Sequence, residues 1–315
     1  MAEKIATRAA YGEALVALAD QYPQLVVLDA DLSGSTMTKA FAKAHPDRFF
    51  NMGIAESNMV GVAAGLAACG KKPFANSFAM FAAGRAFEQV RNSVAYPRLN
   101  VIIVGSHGGL SVGEDGATHQ CCEDLAIMRA IPNMTVVCPC DGPEMRAAVK
   151  ALLDQDGPAY LRMCRLAAES VTDEIPGYRF ELGKSATLRD GSDVTVAATG
   201  LMVPAAMEAA RLLADEGISV RVLDIHTIKP LDGPALEQAA RETGAVVTTE
   251  EHSILGGLGG AVSEYLAEHC PVPVVRHGVE DQFGRSGKAQ EVLDAYGLNA
   301  HGIIEKIRKA LTLKK

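Results

Sequence analysis

The chain has 315 residues, 48% of them hydrophobic and 22% charged, and a net charge of −8 at pH 7. That length predicts about two domains with a large core, and the composition excludes disorder as the main state. An acidic chain with no basic run is a poor partner for nucleic acid or an anionic membrane, and no apolar run reaches the ~18 residues of a membrane span. The N-terminal MAEKIATRAAYGEAL lacks the continuous apolar stretch of a signal peptide. The seven cysteines are scattered and odd in number, which points to a reducing cytoplasm.

The hydrophobic period then switches repeatedly along the chain. Residues 5–20 read as an amphipathic helix, and LVVLDADL (25–32) as a strand ending in acids. A helical stretch at 36–45, a short strand FFNMG (49–53) and an Ala-rich helix at 56–69 follow. PFANSF (73–78) reads as a strand, 84–95 as a helix, and NVIIVG (100–105) as a buried strand. TVVCP (135–139), helix 142–155 and PAYLRM (158–163) close a first α/β unit. Residues 166–190 have no clean period and carry Pro, Gly and charges, so they are assigned as a linker between domains 1–165 and 191–315. The second unit runs through strand 193–200, helix 202–216, strands 218–225 and 244–251, helix 259–269 and strand 273–278. Helices near 289–295 and 300–311 end it. The expected fold is α/β: two domains, each a mostly parallel sheet flanked by helices.

Ligands of parallel sheets sit beyond the strand carboxyl ends. After strand 100–105 comes GSHGGLSVGEDGATHQ (105–120), glycine-rich, with His107, Asp115 and His119. Loops this long in compact domains are functional or disordered, and these side chains can donate, accept or shuttle protons. Zinc has little support, because the two histidines are twelve residues apart without an HxxxH or CxxC spacing. After strand 49–53, Glu56 opens the Ala-rich helix. A carboxylate there is favoured by the helix dipole, and at the mouth of a buried helix it is also a candidate for proton chemistry. Phe78 and Phe81 either join a hydrophobic cluster or stack on a flat heteroaromatic ligand. LGGLGG (255–260) lacks GxGxxG spacing and reads as a tight packing turn rather than a dinucleotide site. The cysteines lie on or beside apolar strands and read as core.

Three of these pieces, GIAESNMVGVAAGLA, SFAMF and HGGLSVGEDGATHQ, occur in the order and spacing that resemble the pyrimidine-binding domain of transketolase. DVTVAATG through FGRSGKAQEVLDAYGL resembles that family's C-terminal domain. The GEDG-x-THQ stretch favours transketolase over deoxyxylulose-phosphate synthase and the β subunit of 2-oxo acid dehydrogenases; GIAE alone does not separate the three. The diphosphate-binding domain of a full transketolase has no counterpart here. The chain therefore resembles the C-terminal subunit of a split transketolase. The resemblance implies ketol transfer between sugar phosphates with thiamine diphosphate. It also implies Mg²⁺ bound by an N-terminal partner subunit, in an α2β2 heterotetramer. Of the residues, it implies Glu56 on the aminopyrimidine ring nitrogen, Phe81 stacked on that ring with Phe78 beside it, and Asp31 near the cofactor. His119 and Asp115 would face the sugar, and Arg8, Ser35, His107 and Arg162 the phosphate, with Arg165 a rival for Arg162. No metal ligand is assigned to this chain. Gly84 stands where many transketolases carry a further aromatic, and Ala117 replaces the proline of GEDGPTH. The alternatives are a synthase-like or dehydrogenase β-like subunit, or a catalytically silent assembly subunit.

Overall fold

The computed structural model describes residues 4–314. In chain order the strands are β1 (Lys4–Ala6), β2 (Leu25–Asp29), β3 (Phe49–Asn51), β4 (Lys72–Phe78), β5 (Ile102–Ser106), β6 (Thr135–Val137) and β7 (Ala159–Arg162). They continue as β8 (Ala167–Glu169), β9 (Ala186–Arg189), β10 (Val194–Ala198), β11 (Val220–Asp224), β12 (Thr227–Lys229), β13 (Val246–Ser253) and β14 (Val274–Val279).

Every residue of β2, β4 and β5 is buried. Strands covered on both faces are what a parallel sheet between helices requires. The first sheet runs β12-β6-β7-β5-β4-β2-β3 and is parallel except at β12. Helices Thr7–Leu18 and Gly142–Asp154 cover one face through Tyr11, Leu15, Val149 and Leu152. Helix Glu56–Ala68 covers the other through Met59, Val60 and Ala63. The second sheet runs β14-β13-β10-β11-β9, with only β9 antiparallel. Its faces are packed by helices Met202–Ala214 and Ala300–Leu313 on one side and by Gly233–Thr243 and Leu258–His269 on the other.

The two units are stitched together. The chain of the second unit lends β12 to the first sheet, where Thr227 pairs with Val137. Lys229 Nζ also donates to the carbonyls of Arg129 and Ile131, at 2.9 and 2.6 Å. Within 166–190, β8 pairs with β1 and β9 edges the second sheet, so that stretch has structure of its own. Three- and four-residue strands are too short to show a two-residue alternation, which is why the sequence pattern is silent there.

Two other differences matter for the site. The helix expected at 84–95 begins at Met80 as a π-helical segment, Met80–Arg85, and a second π-helical segment spans Val90–Ala95. Such wider turns recur at functional sites. The helix after Glu56 is not wholly buried: Asn58, Gly61, Val62 and Gly65 face outward, and a Cβ on either glycine would meet nothing within 4 Å. Small residues lower the cost of exposing that face in the single chain. Among the described residues, no helix is long and apolar enough to cross a membrane.

Candidate active site

The carboxyl edge of the first sheet gathers the chemistry. The β4–β5 register sets Phe78 opposite Ser106. Phe78 and His107 then meet at 4.1 Å between ring centroids. Phe81, one turn on, lies 6.1 Å from Phe78 and nearly parallel to it. His119 closes the group, edge-on to Phe81 at 5.3 Å. So the aromatics of SFAMF and both histidines of the glycine-rich loop share one patch.

Glu56 reaches the same patch from the start of its helix. Its side chain is only 3% exposed; Ser77 donates to Oε1 at 3.2 Å, and Arg85 lies 3.4 Å from Oε2. The Arg85 guanidinium sits 4.2 Å over the Phe81 ring. Arg85 thus links the buried carboxylate to the aromatic face, and it follows Gly84 directly. Neither Arg85 nor Ser77 stands out in the sequence, because each is an ordinary residue for its position.

A cationic corner lies beside the patch. Arg8 Nη1 donates to the Ser35 carbonyl at 2.9 Å, while its buried Nε has no partner among the described residues. Burial pushes the His107 imidazole down to about 3, and the charges of Arg8 and Arg165 add to the shift. His107 is therefore neutral at physiological pH, with Nδ1 2.7 Å from the Ser106 hydroxyl. Arg165, about one-third exposed, pairs with Glu114 at 2.5 Å. Asp115 is exposed beside it at the end of the Leu110–Asp115 turn.

Two residues of this edge hold left-handed backbone, Asp31 at φ 64° and His107 at φ 59°. Non-glycine residues there store strain that surrounding contacts must hold. Around Asp31, Asp29 supplies such contacts: its carboxylate accepts from Leu32 N–H and from the Thr36 and Thr38 hydroxyls. The turn carrying Asp31 and Ser35 hangs on it. Burial raises the Asp29 carboxyl, against these hydrogen bonds that lower it. Asp31 itself is exposed and accepts from Asn51 Nδ2 at 2.9 Å.

Arg162 is a correction. It is 1% exposed; its Nε lies 2.8 Å from the buried Asp124 carboxylate, and its Nη2 donates to the Glu251 carbonyl at 2.9 Å. A guanidinium spent on a dry internal ion pair offers nothing to a sugar phosphate. Arg165 is the arginine that faces Arg8 and His107. The two lie three residues apart, and only the β7 ending at Arg162 decides between them.

LGGLGG is a packing turn. The N–H groups of Leu258 and Gly259, at the helix start where an anion would bind, both donate to the Glu250 carboxylate at 2.7 Å. The protein's own carboxylate fills that place. Six of the seven cysteines are buried and all are free thiols; burial pushes the Cys138 thiol up to about 11.

The chain is similar to known proteins along nearly its whole length. The family model described as transketolase, pyrimidine binding domain, matches residues 3–170, and transketolase, C-terminal domain, matches residues 183–303. A putative transketolase C-terminal section of Methanocaldococcus jannaschii is 50% identical over 305 residues, 96% of each chain. A 6-deoxy-6-sulfo-D-fructose transketolase subunit of a Clostridium strain is 46% identical over 297 residues, covering 94% of this chain and 92% of that one. Among solved structures, a split gene transketolase described as an inactive β4 tetramer superposes with a TM-score of 0.92 at 54% identity, covering 99% of this chain and 100% of the other. With two domain models covering most of its length and relatives matched nearly end to end, the chain belongs to the transketolase family.

Proposed function

We propose that the chain is the pyrimidine-side subunit of a split transketolase, which moves a two-carbon ketol unit from a ketose phosphate to an aldose phosphate. The observation that carries this reading is the buried Glu56 carboxylate joined through Arg85 to the Phe81 face.

That pair fits thiamine diphosphate. An aminopyrimidine needs a carboxyl at a ring nitrogen and an aromatic face beside it, and Glu56 and Phe81 offer both once Arg85 turns aside. Arg85 is half exposed, so the movement is cheap. The bound cofactor supplies the thiazolium carbon at which ketol chemistry runs. Glu56 holds a proton at the ring nitrogen, Phe81 stacks, and Phe78 backs the site. Asp31 lies on the cofactor side. His119 moves a proton or steadies an oxyanion at the sugar, and Asp115 accepts from a sugar hydroxyl.

Arg8, Arg165, Ser35 and His107 take the anionic end of the sugar. The Arg8 Nε, which has no acceptor among the described residues, is a donor for that anion. His107, neutral, contributes a hydrogen bond rather than a charge. The diphosphate and Mg²⁺ fall to an N-terminal partner subunit, and the working assembly is an α2β2 heterotetramer. Relatives of the same length support this, one a transketolase C-terminal section and one an inactive assembly of β chains alone. The reduced, buried thiols suit the cytoplasm.

The test is steady-state ketol transfer by the assembled pair. Arg8→Ala and Arg165→Ala each raise KM for a phosphorylated donor about ten- to a hundred-fold with a smaller fall in kcat, as the loss of a charged hydrogen bond shared by ground and transition states requires. A donor lacking the phosphate shows no such difference, and a sulfonated donor reports whether the corner reads phosphate or any tetrahedral anion. Unchanged KM values in both variants would place the corner elsewhere.

A further inference from the structure

The glycine-rich loop carrying His107, Asp115 and His119 belongs to the first unit, yet much of its underside is the second unit. β13 runs beneath it. Ser111 N–H donates to Glu251 Oε1 at 2.5 Å, and Ser253 N–H donates to the Cys122 carbonyl at 2.8 Å. Gly109, at φ 83°, passes so close that a Cβ there would lie 2.5 Å from the Glu251 carboxyl carbon. A Cβ on Gly108 would lie 2.4 Å from Arg162 Nε. These two glycines let the loop approach buried side chains of the protein itself. Farther along, Gln120 Nε2 donates to the Arg285 carbonyl at 3.0 Å, and Gly116 abuts Ser286.

Glu251 is 1% exposed and sits over the Arg162–Asp124 pair, with Arg162 bonded to its main-chain carbonyl. Among the described residues its Oε2 has no partner, and only the loop uses its carboxylate in a directed bond. A buried carboxylate is costly unless its surroundings keep it, and here the return is the fixed position of Ser111, four residues after His107.

We propose that Glu251 is a positioning residue for the sugar-binding loop: the C-terminal domain acts on the reaction by holding that loop through the Glu251–Ser111 bond. The kinetic consequence rests on the ketol-transfer reading; the structural one does not.

Two measurements separate them. Amide hydrogen exchange of the full chain reads the loop directly. Glu251→Met, similar in volume but without an acceptor, loses protection about ten- to a hundred-fold within residues 108–120 and not in β2, β4 or β10. Glu251→Gln, which keeps an acceptor oxygen, restores most of it. Should the Met variant fail to fold, Glu251→Asp retracts the acceptor by one methylene and must give the same loop-confined loss. Unchanged loop exchange, or a loss spread evenly over the molecule, overturns the proposal. In the complex with the partner subunit, Glu251→Met raises KM for the ketose phosphate by about ten-fold or more while kcat falls less, and Glu251→Gln recovers KM. An unchanged KM beside a loosened loop would refute the kinetic role alone. A wild-type complex without ketol transfer would refute the functional reading and leave the exchange result standing.

Discussion

In the assembled, cofactor-saturated enzyme, Glu56→Gln slows proton–deuterium exchange at the thiazolium carbon of thiamine diphosphate by about a hundred-fold or more, the scale of a lost acid–base group. The amide fills the same volume and keeps a donor, but it cannot pass a proton to and from a ring nitrogen. The structure separates this defect from misfolding. Glu56 is buried, yet its charged partner Arg85 is half exposed, and a pair with one member in water contributes about 0–1 kcal/mol. Ser77, its other partner, can donate equally well to the amide oxygen. The variant therefore folds and assembles, and Glu56→Ala is at least as impaired in exchange. Rapid quenching and NMR read the rate; a wild-type rate in the Gln variant would reduce Glu56 to a helix-end carboxylate.

The second large effect is on stability. Arg162→Met removes one half of a fully buried ion pair; among the described residues it leaves Asp124 with the Tyr160 hydroxyl alone, at 2.8 Å, on Oδ2 and with Oδ1 already unpartnered. Breaking such a pair from one side costs about 3–5 kcal/mol. Chemical denaturation should register that loss. The Arg165→Ala variant behaves oppositely: its pair with Glu114 is solvent-facing, so the midpoint hardly moves while KM rises. A destabilised Arg165→Ala beside a stable Arg162→Met with a raised KM would exchange the two assignments.

These two arginines mark how far the sequence can be read. The parallel sheets were legible because β2, β5 and β10 are largely apolar runs buried along their whole length. The short β1, β8, β9 and β12 were not, and β12 joins the first sheet from a distant part of the chain by a pairing no local pattern encodes. Helix Gly233–Thr243 was overlooked although Asp232 and Pro234 spell a helix start. At the site, Glu56, Phe78, Phe81, His107 and His119 were legible from their place after strands, and the structure gathers them in one patch. Arg85, Ser77 and Glu251 act by reaching residues far away in sequence, and such contacts leave no spacing to read.

We propose that this chain holds one half of a divided active site. Titrating it with a polypeptide carrying the diphosphate-binding domain, in the presence of thiamine diphosphate and Mg²⁺, and following ketol transfer from a ketose phosphate, tests that claim directly. No turnover is expected from this chain alone, and activity should rise with added partner until the two chains are equimolar. Sustained turnover by the chain without any partner would contradict it.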